Sequence, residues 1–116
     1  MSVYLPAADE EVWVGVVRML VHVPGSRTLK DRRRAVQSLV QRIAARHHAS
    51  VAEVGHLESP GAAVVAATVV ANQPQLVRAR LDAIRREAEL AADSVFVDSN
   101  TWVLKMSAAD EVASRA

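Results

Sequence analysis

Residues 12–23 alternate in a way that fixes both sides of a strand. Trp13, Val17, Met19, Val21 and Val23 form one apolar row, while Val14, Val16 and Leu20 share the opposite row with Arg18 and His22. Pro24-Gly25 ends the run. The period then changes. Leu29, Val36, Leu39, Val40 and Ile43 recur at helical spacing, which predicts a helix over about 29–46. Thr28-Leu29-Lys30-Asp31 opens it as a capping box, with Thr28 accepting an amide proton and Asp31 reaching back. Phasing on Val36 and Ile43 turns Lys30, Arg34, Gln37 and Gln41 to solvent and sets Arg32 and Arg33 nearer the margins of the buried stripe.

Residues 50–57 read as a second strand and 59–61 as a turn. Residues 62–71 are apolar without alternation, the mark of a strand covered on both sides. Asn72 is the expected cap of a second helix, with Pro74 in its first turn, Gln75 three residues after the cap, and Val77, Leu81, Ile84, Ala88 and Ala91 as its stripe. Residues 95–105 read as the last strand.

The order β-α-β-β-α-β, with right-handed crossovers, predicts an α+β ferredoxin-like sandwich: a four-stranded antiparallel sheet with two helices on one face. One domain over 12–105 follows, with a flexible N-terminal extension at 1–11 and a C-terminal tail at 106–116. Trp13 should lie largely buried beneath the helices and Trp102 nearer an edge. Two helices cover one face only, yet Val14, Val16, Leu20, Val64 and Val70 also need cover. A homo-oligomer, a dimer or more, packed through the open sheet face is therefore expected.

Composition narrows the function classes. The 116 residues are 51% hydrophobic and 23% charged, ordinary for a globular chain. Cysteine is absent, which excludes disulfides, thiolate metal sites and cysteine nucleophiles. No basic, apolar leader opens the chain, and the longest charge-free stretch, 59–77, is broken by Pro60, Gly61 and Pro74. The expectation is a cytoplasmic protein with no membrane span.

The net charge of +1 says little, but its distribution is uneven. Between positions 18 and 46 lie eight basic residues, Arg18, Arg27, Lys30, Arg32, Arg33, Arg34, Arg42 and Arg46, against one acid, Asp31. Several flank the start of the first helix, where free amides and the helix dipole favour anions. Arg27, Lys30, Arg33 and Arg34 are the candidate anion- or RNA-binding residues. The competing reading is a solvated helix face whose arginines cap, or pair with acids of the second helix. RNA contact of the aromatic-stacking kind does not fit, because the third strand offers only Ala, Val and Thr68.

No reaction assembles from the remaining residues. Adjacent His47 and His48 diverge and lack the spacing of a helical metal pair. His22 and His56, at strand ends, are expected to be buried and hydrogen-bonded; with Arg18 they form an alternative, the mouth of a small-molecule or enzyme pocket at the open face, and a purely structural oligomer is the third reading. Ser26, Ser59 and Ser99 lack a nucleophile elbow, and the four glycines form no phosphate loop. No catalytic residue, metal or cofactor is assigned.

Two stretches carry a family likeness. Residues 22–33, His-Val-Pro-Gly-Ser-Arg-Thr-Leu-Lys-Asp-Arg-Arg, and 50–56, Ser-Val-Ala-Glu-Val-Gly-His, resemble the signature stretches of the bacterial YlxP-like proteins, a domain-of-unknown-function family. The resemblance spans about 12–105 and implies a ferredoxin-like fold. Members are often encoded beside transcription-elongation, translation-initiation and ribosome-maturation genes, which implies a role near RNA or a ribosomal particle. It implies no activity and no catalytic residue. The chain departs from the pattern at Leu57-Glu58-Ser59-Pro60-Gly61-Ala62, where the family commonly has a polar stretch with a tryptophan.

Overall fold

A computed structural model describes residues 10–25, 27–56, 59 and 61–106. Residues 1–9 of the expected extension, 107–116 of the tail, Ser26, and Leu57, Glu58 and Pro60 of the departing loop lie outside the described residues. The elements run β1 (Val12–His22), α1 (Leu29–His47), β2 (Ser50–Gly55), β3 (Ala62–Ala71), α2 (Pro74–Glu89) and β4 (Val95–Met106). The sheet has the order β2-β3-β1-β4 and is antiparallel throughout. This is the α+β, ferredoxin-like architecture that the order of elements predicts.

Alternation along β1 does what the pattern requires. Val17, Met19, Val21 and Val23 are buried with Val36, Leu39 and Ile43 of α1, and Val77, Leu81 and Ile84 of α2. β3 adds Ala63, Val65, Ala67 and Val69 to the same core. Gly15 lets α2 approach: a Cβ there would lie 2.3 Å from Val77 Cγ1 and 2.6 Å from Leu81 Cδ1. Register shifts at Leu20/Val21 and at Glu53/Gly55 bend the two outer ladders.

Three details depart from the sequence reading. The cap of α2 is Gln73, not Asn72, and makes no side-chain bond, because Pro74 occupies the first helical position and presets the entry. Ala91 lies past the end of α2 yet still packs on the core. Trp13 is half-buried at the end of the sheet, where its indole N–H donates to Glu11 Oε1 at 2.8 Å and Lys105 Nζ sits 5.9 Å from the ring centroid. Trp102, on edge strand β4, projects from the face that bears no helix.

Candidate anion-binding surface

The α1 cap forms as expected on the Thr28 side: its hydroxyl accepts the Asp31 amide at 3.1 Å. Successive helical residues diverge by about 100°, so Arg32, Arg33 and Arg34 meet different surroundings. Arg32 is 3% exposed, deep in the stripe rather than at its margin. Its Nε donates to the Ala62 carbonyl at 2.8 Å and its Nη2 to the His56 carbonyl at 2.8 Å, and it pairs with Glu53. It fastens α1 to the end of β2 and the start of β3. Arg33 and Arg34 are exposed, as are Arg27 and Lys30.

Lys30 neighbours both Arg33 and Arg34 at three- and four-residue spacing on the helix surface, and Arg27 stands just before the cap. Among the described residues, none of these four cations has an ion pair. Elsewhere on the helices pairing is common. Arg46 and His47 meet Glu87 at 3.4 and 3.2 Å, Arg85 bridges Asp82 and Glu89, and Arg86 reaches Asp82 at 3.2 Å. The hydrogen bond from Arg85 holds the Asp82 carboxyl below its ordinary range. Arg34 also borders an open cleft of about 520 Å³ with Asp31, Ser38 and Asp93.

The alternative trio is scattered. Arg18 is half-buried on the open face and donates to Asn100 Oδ1 at 3.3 Å. His22 shares that face beyond Leu20, at the end of β1, with its ring beside Gly61. His56 follows β2 in the left-handed region, φ 57°, and its carbonyl is held by Arg32 and by the Ser59 amide. Both histidine residues are exposed, not buried, because each lies where a strand runs out into solvent. Grooves beside Arg34, Ala66 and Val70 are lined by none of the three. No group of three or more His, Asp or Glu among the described residues could hold a metal ion.

Two anchoring residues escaped the sequence reading. Glu53 lies on the helix-facing row of β2, opposite buried Val65; an acid on that row was the available signal for a buried counter-ion. Arg80 of α2 donates to the carbonyls of His47, His48 and Val70 at 2.9, 3.3 and 3.3 Å, closing the C-terminus of α1. Its partners are backbone atoms, which no side-chain pattern reveals.

A family model described as "Protein of unknown function (DUF503)" matches residues 14–101. The chain belongs to that family. The match includes both stretches that carry the likeness, and with them Arg32, Glu53, Arg27, Lys30, Arg33 and Arg34. No curated protein matches the chain. Among solved structures, one described as "De novo designed protein Foldit4" is similar with a TM-score of 0.43 and 14% identity, covering 81% of this chain and 97% of that one. No described helix is long and apolar enough to cross a membrane.

Proposed function

We propose that the protein is a cytoplasmic, non-enzymatic accessory factor that binds RNA, alone or within a ribosomal particle, through the first two turns of α1. One observation carries this reading: Arg27, Lys30, Arg33 and Arg34 are exposed and free of ion pairs among the described residues, within eight positions that contain one acid. Arg46, Arg85 and Arg86, elsewhere on the helices, lie within reach of carboxylates, whereas the start of α1 is where cations without such a partner among the described residues crowd together. Membership of an uncharacterised family is compatible with it, and the resemblance of residues 22–33 and 50–56 to the YlxP-like proteins, which implies a role near RNA or a ribosomal particle, supports it. Contact is electrostatic, since no aromatic platform accompanies the cations.

Fluorescence anisotropy with labelled single-stranded RNA tests the proposal. Four phosphate contacts predict a fall of log affinity against log salt with a slope of about −3. The double variant Lys30→Glu, Arg34→Glu should stay folded, weaken binding more than tenfold and flatten the slope. Affinity that ignores salt, or is unchanged in the variant, refutes it.

A further inference from the structure

The face of the sheet turned away from the helices is uneven in a self-complementary way. Along β4 it carries a ridge: Trp102, Leu104 and Met106 are 48%, 56% and 39% exposed. On the opposite side, small residues leave a trough. Ser50, Ala52, Ala66 and Thr68, with Val16, line a groove of about 230 Å³. A second groove of about 270 Å³ continues from Ser50 and Thr68 past the start of β2, between Val70 and His48, and round the sheet edge to Arg80 of α2, because no strand residue flanks Val70 there. The register places ridge and trough in one row: Ser50 pairs with Thr68, Thr68 with Val16, and Val16 with Trp102. Side chains thus grow from hydroxymethyl to indole across the sheet.

We infer that this face binds a second copy of the same chain, with Trp102 and Leu104 of each copy seated in the trough of the other. A two-fold axis between the sheets and parallel to the strands sets β4 of one copy over β2 of the other, row upon row, and β1 over β3. Packing of this kind belongs to the aligned class of sheet sandwiches, and its interface is isologous and closes at two copies. The extent suffices. β1 and β3 pair over ten residues, so at about 3.3 Å per residue and about 4.8 Å per strand the face measures roughly 600 Å² in projection. That is the order of the ~800 Å² of accessible surface that each partner buries in a standard stable interface. Both helices, and with them the basic turns of α1, stay outside. The dimer and RNA binding therefore stand or fall separately.

Sedimentation equilibrium of the full chain tests the inference. At tens of micromolar the mass should be twice 12.5 kDa. Trp102→Ala removes the main knob and should weaken association at least tenfold, and Ser50→Trp, which blocks the trough, should give a monomer. The exchange variant Ser50→Trp, Trp102→Ser moves the knob to the other side of the same row and should restore the dimer; circular dichroism checks that each variant folds. A monomeric wild type overturns the inference, whether its face is kept for another protein or covered by its own terminal residues. So does a dimer indifferent to Ser50→Trp, or an exchange variant that stays monomeric.

Discussion

The two faces of this sheet are made from the same strands but obey different rules. On the helix side of β1 and β3, Val17, Met19, Val21 and Val65 are fully buried, and even a methyl group at Gly15 would collide with α2. On the other side Val14, Val16 and Leu20 are half-covered by their neighbours, and Val70 is 59% exposed. Valine dominates both, although the uncovered row of β1 also carries Arg18 and His22. Apart from Val64, which is 4% exposed on the uncovered side, exposure separates them, and exposure is set by the layer that lies above. A face without such a layer has room for a charge at its exposed positions, whereas the helix side is closed to any change of size or charge.

The largest expected effect comes from placing a charge on the closed face. Val65→Asp puts a carboxylate between the helices with no partner, at a cost of several kcal/mol, enough to unfold a domain of this size. Far-UV circular dichroism and urea titration should show loss of the cooperative transition. A variant that remains folded would mean that the helix layer can open to solvent, and the contrast between the faces would collapse.

One charge is nevertheless admitted on the closed side. Arg32 is tolerated because its guanidinium is engaged by Glu53 and by the carbonyls of His56 and Ala62. Arg32→Leu keeps the aliphatic bulk and abandons those acceptors. With Glu53 22% exposed, water recovers part of the loss, so a destabilisation of about 3 kcal/mol is expected. The urea midpoint should fall with the slope of the transition unchanged. Arg32→Lys should recover little, since a single ammonium cannot reproduce the planar fork. An unaltered midpoint in Arg32→Leu would show that the closed face excludes shape changes but not lost hydrogen bonds.

How far the sequence foretold this contrast depends on where each partner lies. Alternation in β1 is a local pattern, and it placed Val17, Met19, Val21 and Val23 on the helix side, whereas the unbroken apolar run of β3 marked a central strand without giving its residues a side. Thr28 likewise caps from within its own turn. Arg32 was harder. Three residues after Leu29 and four before Val36, it falls within the apolar stripe by spacing, and what lets a charge sit there is Glu53, twenty-one positions away across a helix and a turn. The two histidines were misjudged for the opposite reason: strand ends look apolar in sequence, but His22 and His56 sit where the sheet stops. Trp13 shows the same end effect. For the cation cluster, the sequence indicated the residues; only the pairings of Arg46, Arg85 and Arg86 revealed which positive charges are already satisfied.

The smallest expected effect is the mirror image of the largest. Val70 is on the same strand as Val65 but on the uncovered side, opposite Val14 in the ladder. Val70→Asp puts the same carboxylate where more than half of the residue already meets water, so its desolvation is slight. A surface substitution of this kind usually changes stability by less than about 0.5 kcal/mol. Measured at a concentration low enough to keep the chain monomeric, the unfolding transition should match that of the wild type within this margin. At high concentration the variant should associate less, because the carboxylate stands at the rim of the groove beyond Thr68. A loss of several kcal/mol in the dilute sample would place Val70 in a second closed layer. The two faces would then differ in degree of packing and not in kind.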